Sequence, residues 1–117
     1  MFFNIFKSKP ALRELIPNGF VDIHSHILPS IDDGAKNSAE SIELILKMKK
    51  LGFAKIIGTP HTYSGLYDNT TDSIKNAYNK VKVLQPKDIE IGFASEYLLD
   101  IDLIESKISK YKWYFAD

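Results

Sequence analysis

The sequence holds three histidines, and each falls where a run of β-forming residues ends. In VDIHSHILPSIDDG, residues 21–34, His24 and His26 lie one residue apart and are followed by Asp32, Asp33 and Gly34. On an extended strand residues i and i+2 face the same way, so the two imidazoles can meet one ion while Ser25 points away. His61 closes the segment FAKIIGTPH, and Glu96 interrupts the apolar run IGFASEYLL, where a lone carboxylate is costly unless it is paired or bound to a cation. Mixed imidazole and carboxylate donors suit Mn, Zn or Fe, and the sequence does not choose among them. Each residue also has an ordinary explanation. His24 and His26 could be partly exposed strand residues, Asp33-Gly34 a favoured turn dipeptide, His61 a loop residue with a satisfied ring, and Glu96 a solvent-facing residue of an edge strand. Against taking them separately stands their recurrence: none of the histidines is on a helix face, and 37 residues separate His24 from His61 and 35 separate His61 from Glu96. That interval is one βα unit.

The elements that must position these side chains follow from periodicity. GFVDIH, residues 19–24, reads as a buried strand after a turn at Pro17 and Asn18, and ILPSIDDGAKNS as a loop. Asn37 with Glu40 three residues on is an N-cap signature. Ile42, Ile45, Leu46, Met48 and Leu51 recur at helical spacing, and Gly52 supplies the stop. Residues 53–61 form a second strand. A second helix over DSIKNAYNKVKVL places Ile74, Ala77, Tyr78 and Val81 on one face, and Pro86 ends it. DIEIGFASEYLLD, residues 88–100, is a third strand, and DIDLIESKISKY a last helix capped by Asp100 or Asp102. Strands alternating with helices at this spacing predict an α/β fold of parallel strands, in which chemistry gathers at the C-terminal strand ends.

Composition narrows the function classes. Fifteen Lys and Arg against 15 Asp and Glu give zero formal net charge, and so no basic field for nucleic acid or an anionic membrane. Cysteine is absent, which removes disulfides, zinc-thiolate sites and a cysteine nucleophile. No run of about 18 apolar residues offers a membrane span, and the apolar start around Phe2, Phe3 and Phe6 is broken by Asn4 and Lys7, unlike a signal sequence. The expectation is a cytoplasmic protein with a short apolar tail, packed on the domain or frayed.

The strings FVDIHSHILPSIDDGAKN, IIGTPHTY and ASEYLLD resemble the PHP (polymerase and histidinol phosphatase) superfamily, and most nearly its bacterial metal-dependent tyrosine-protein phosphatases of capsular and extracellular polysaccharide synthesis. The resemblance covers residues 19 to about 103. It implies a partial PHP-type (β/α) barrel of about three βα units, with residues 1–18 as an N-terminal extension and residues 19–117 as the N-terminal part of the phosphatase domain. It further implies divalent metal ions, manganese before zinc or iron. His24 and His26 would bind a first ion, Glu96 would bridge to a second, and Asp33 with His61 would bind a third. Asp32 matches the motif but receives no role. The implied partner is a phosphotyrosine protein, a polysaccharide-export tyrosine autokinase, with a homo-oligomer open as the assembly. The resemblance is incomplete. A second strand-end glutamate, a His-Pro-Glu-Arg-like segment and a terminal Asp-x-His are missing, nothing in SKYKWYFAD replaces them, and Arg13 is the sole arginine. The expectation is therefore a truncated chain with an exposed sheet edge. Alternatives are a noncatalytic metal-binding remnant, or another PHP phosphoesterase such as a histidinol-phosphate phosphatase. Amidohydrolases also begin with His-x-His but do not account for Asp-Asp-Gly.

Overall fold

Three parallel strands and two helices place the histidine-bearing strand ends side by side. The computed structural model describes residues 9–106; the phenylalanine-rich start and the segment SKYKWYFAD lie outside the described residues. In chain order the elements are α1 (Leu12–Leu15), β1 (Phe20–Ser25), α2 (Ser38–Leu51), β2 (Phe53–Gly58), β3 (His61–Thr62), α3 (Thr71–Lys82), β4 (Glu90–Phe93), β5 (Glu96–Tyr97) and α4 (Ile101–Ser106). The main sheet has the order β1-β2-β4, and β3 pairs with β5 in a second, two-stranded sheet. All these pairings are parallel, as the alternation of strands and helices predicted.

The helices begin and end where the sequence signals them. Asn37 Oδ1 accepts the Glu40 N–H at 2.9 Å, which satisfies one of the unpaired donors of the first turn of α2. Gly52 closes that helix at φ 108°, a left-handed conformation that glycine adopts without steric cost. Thr70 and Ser73 cap α3 reciprocally. Asp100 accepts the Leu103 N–H at 2.8 Å, so of the two aspartates proposed to cap the last helix it is Asp100 that does. The short α1 was not anticipated from the sequence.

One core cluster unites Leu28, Ile45, Ile56, Ile74, Ala77, Val81, Ile89 and Ile91. It joins the inner faces of α2 and α3 to β2, β4 and the loop after β1. Leu46 was placed with the apolar stripe of α2 but is 42% exposed, because the buried side of the helix runs through Ser41 and Ile45. β1 is not the buried strand expected. It lies at a sheet edge while α2 packs on β2 and α3 on β4, leaving Phe20, Val21 and Ile23 exposed, Ile23 by 75%.

The second and third strands each divide in two. Residues 53–61 were expected to form one strand stopping at Pro60; Pro60 has no N–H to give the ladder, so β2 stops at Gly58, and what the sequence did not show is that pairing resumes as β3 at His61. Residues 88–100 divide opposite that break into β4 and β5. Hydrogen bonds still carry the pairing across the gap: Thr59 N donates to Ser25 O at 2.7 Å, Ala94 N to Gly58 O at 2.9 Å and Glu96 N to Pro60 O at 3.0 Å. Among the described residues no helix is long and apolar enough to cross a membrane.

Two measurements check this packing. Ile45→Ala removes a fully buried side chain and should destabilise the protein by about 2–5 kcal/mol in a denaturant titration, a loss set by transfer and cavity terms together. At the sheet surface Lys55 reaches Glu90, its register partner, at 2.7 Å, and this hydrogen bond and charge hold the Glu90 carboxyl below the ordinary glutamate range. A carboxyl lowered on folding stabilises the fold above its ordinary titration range, and the benefit is lost as pH falls through the lowered value. A pH titration followed by NMR should therefore find Glu90 titrating low in the wild type and shifted upward in Lys55→Ala.

Candidate metal centre

His61 and Glu96 are direct register partners in the β3–β5 ladder, and this pairing is the foundation of the site. His24 stands near the end of β1 and His26 just beyond it, level with the same strand ends. Glu96 Oε2 lies 3.1 Å from His24 Nε2, 3.3 Å from His26 Nε2 and 3.3 Å from His61 Nε2. Three imidazoles, two from the end of β1 and one from the start of β3, thus face one carboxylate oxygen. Ser25 points elsewhere, donating through Oγ to Ile57 O at 2.9 Å.

The loop after β1 brings in the aspartates. Ala35 N donates to His26 O at 3.1 Å, folding the loop back over the histidine it follows. Gly34 makes that fold possible by close approach: a Cβ there would stand 2.2 Å from His26 O and 2.5 Å from His26 Cβ. Asp33 Oδ1 then lies 3.2 Å from His61 Nδ1. The structure brings together all five residues singled out from the sequence, His24, His26, Asp33, His61 and Glu96, in two overlapping donor groups. One is His24, His26 and Glu96; the other is His26, Asp32, Asp33 and His61.

Asp32 is the most enclosed member, with none of its side chain exposed. Oδ2 accepts from His26 Nδ1 at 2.7 Å and from the His61 backbone N–H at 3.0 Å, while Oδ1 accepts from Gly34 N at 2.9 Å. Burial pushes its carboxyl up, but the His26 hydrogen bond and the two backbone donors together hold it below the usual aspartate range. At Glu96 the Tyr63 hydroxyl donates to Oε1 at 2.8 Å and lowers the carboxyl; desolvation opposes this, and the nearby imidazoles add to the lowering. The same bond raises the Tyr63 hydroxyl.

Sequence reasoning missed several supports. Tyr63 holds Glu96, the Tyr67 ring stacks on His61 with centroids 5.3 Å apart, and Asn69 Nδ2 donates to both Ile31 O and His61 O. A signal for Tyr63 existed: it is two residues from His61, and a strand returns i and i+2 to one face.

The donor set fits a cation. Two ligands each about 2.1 Å from a shared ion, at right or tetrahedral angles, lie roughly 3.0–3.4 Å apart, which is the spacing between Glu96 Oε2 and the three imidazoles. Hydrogen bonding does not account for these approaches, because Glu96 Oε2 and His61 Nδ1 are buried atoms with no hydrogen-bond partner. Buried polar atoms are nearly always satisfied, and a bound cation is one state in which these two would be. Asp33 and His24 are more open, with 64% and 59% of their side chains exposed, and they form the rim through which a ligand would enter.

Comparisons with known proteins agree with this geometry. The family model described as "Capsular polysaccharide synthesis, CpsB/CapC" matches residues 20–108, a span containing every candidate ligand. Tyrosine-protein phosphatase YwqE of Bacillus subtilis (strain 168) is 42% identical over 72 residues, 61% of this chain and 28% of that protein. Tyrosine-protein phosphatase CpsB of Streptococcus pneumoniae is 28% identical over 88 residues, 73% of this chain and 36% of that one. A solved chain from the crystallographic work on YwqE and CpsB, described there as metal-dependent tyrosine phosphatases, superposes with a TM-score of 0.67 at 31% identity, over 78% of this chain and 38% of the other. The chain thus spans well under half the length of these relatives. With a family match over most of its residues and a relative's fold reproduced around the histidine cluster, the chain belongs to the CpsB/CapC family of capsular polysaccharide synthesis.

Proposed function

We propose that this chain is the N-terminal part of a metal-dependent protein-tyrosine phosphatase that acts in the control of polysaccharide synthesis, with residues 19–117 belonging to a PHP-type domain whose described residues form part of the barrel. The observation that carries the reading is the convergence of three imidazole Nε2 atoms on the orphaned Glu96 Oε2. The substrate class is a phosphotyrosine protein, with a polysaccharide-export tyrosine autokinase as the partner in the cytoplasm. A homo-oligomer is the assembly consistent with the exposed apolar edge at β1.

His24 and His26 would hold a first divalent ion, Glu96 would reach from it toward a second, and Asp33 with His61 would hold a third. When bound, such ions neutralise phosphate oxygens and lower the pKa of a bound water toward neutrality, the two requirements for hydrolysing a very inert monoester. Manganese is the proposed metal, with zinc and iron sharing the donor preference. The chain's own side chains do the positioning. The Tyr63 hydroxyl donates to Glu96 and favours its ionised form, and this same bond fixes the carboxylate so that Oε2 faces the imidazoles. His24 and Asp33 stand at the open rim, where a phosphoryl group would arrive. Relatives matched over only 28–38% of their length favour a second reading, ion binding without turnover by these residues alone.

Calorimetric titration of the metal-free protein with Mn²⁺ should detect at least one equivalent. Loss of an outer-shell partner typically weakens metal binding by about 10–100-fold, so Glu96→Gln, which removes a proposed ligand, should weaken it by at least ~100-fold. Release of phosphate from para-nitrophenyl phosphate should require Mn²⁺ and fall in His24→Ala. A rate indifferent to both metal and substitution overturns the phosphatase reading, and tight ion binding without turnover selects the second one.

A further inference from the structure

We propose that Asp32 is a positioning residue that sets the tautomer of His26 and ties the two donor groups together, holding the imidazole so that Nε2 presents a lone pair to the ion. The proposal rests on the metal-centre reading above and assigns a task to a carboxylate that the sequence left without one.

Neutral imidazole carries one proton on either ring nitrogen, and the partner of one nitrogen decides the state of the other. A carboxylate has only acceptor atoms, so Asp32 at 2.7 Å from His26 Nδ1 demands a proton there. Nε2 is then unprotonated, and it is the atom 3.3 Å from Glu96 Oε2. With the opposite tautomer an N–H would point at the site and exclude a cation.

The other two bonds to Asp32 extend its reach. The His61 backbone N–H donates to the same Oδ2 at 3.0 Å, fixing the first residue of β3 just after the break at Pro60. Gly34 N donates to Oδ1 at 2.9 Å and closes the loop that carries Asp33. One fully enclosed carboxylate thereby joins the end of β1, its own loop and the start of β3. A ligand role for Asp32 itself fits this geometry less well, since Oδ2 already takes two donors and Oδ1 a third. Asn could not replace it cleanly. An amide offers one oxygen and one NH₂, so one of the sites now filled by donors would face another donor.

The imidazole ¹⁵N spectrum of the wild-type protein, metal-free and loaded with diamagnetic Zn²⁺, tests this directly at a pH where the ring is neutral. His26 should be protonated on Nδ1 in both states. In Asp32→Ala both tautomers should appear, and Zn²⁺ affinity should fall by about 10–100-fold, the usual consequence of losing a carboxylate behind a metal-binding histidine. Asp32→Asn should fall between the two. Protonation of His26 on Nε2 in the wild type overturns the proposal, as does loss of the Nδ1 proton on zinc loading, which would make Asp32 or Nδ1 a ligand. Unchanged tautomer and affinity in Asp32→Ala overturn it as well. The wild-type spectrum decides even if the variants do not fold. Failure of the wild type to bind any divalent ion removes the metal-centre reading and this proposal with it, whereas tight binding with the wrong tautomer removes this proposal alone.

Discussion

The parallel register between consecutive strands is the constraint from which the rest of the site follows. In a parallel ladder the C-terminal ends of neighbouring strands lie on one side of the sheet, so residues one βα unit apart in sequence arrive side by side. Here His61 is paired with Glu96 across 35 residues, and Ser25, between the first two histidines, is paired with Gly58. Neither helix supplies a donor to the cluster. Their contribution is the apolar core of Ile45, Ile56, Ile74 and Val81, which fixes the sheet and hence the register. A slip of one residue would turn the side chains of the slipped strand to the opposite face and disperse the donors.

Three imidazole nitrogens surround Glu96 Oε2 without giving it a hydrogen bond, a deficit that a shared cation would meet. A carboxylate removed from water needs a compensating charge or donors, and Glu96 has one donor, Tyr63, on Oε1 and none on Oε2. Asp32, enclosed more completely still, is compensated by three donors. The two carboxylates make opposite uses of enclosure. One is satisfied by the protein and serves as a fixed support; the other is left unsatisfied toward the centre of the cluster. That difference, more than proximity alone, distinguishes the proposed support from the proposed ligand.

Much of this was legible in the sequence, because it rests on local rules. Asn37 with Glu40, Gly52, and the Ile74, Ala77 and Val81 stripe marked their helices, and the residue types at strand ends marked the site. The resemblance carried by the Asp-Asp-Gly and His-x-His strings assigned the family. What was not legible depended on tertiary context. The stop at Pro60 was legible, but the resumption of pairing at His61 and its echo at Glu96, which turned two expected strands into four, depended on the partner strand. The exposure of β1 follows from its place at the edge, which alternation of residue types does not reveal. Tyr63, Tyr67 and Asn69 are supports supplied by a loop whose return path no local pattern specifies.

The pair Asp32 and Asp33 shows how far a motif can be read before geometry is needed. As adjacent residues of one type before Gly34 they are equivalent on the page, and turn chemistry explains either one. Folding distinguishes them by direction: Asp32 is fully enclosed beneath His26 and His61, while Asp33 keeps 64% of its side chain exposed beside His61 Nδ1. Gly34 enforces the distinction. Any side chain there would collide with His26 O and Cβ, so the loop could not turn tightly enough to put one aspartate beneath the imidazole and the next at its edge. The glycine is thus required by the chemistry of the site as much as by the turn. A short polar string works as a unit here because Asp32 bonds both His26 and His61, Asp33 stands beside His61, and Gly34 lets the loop close over His26.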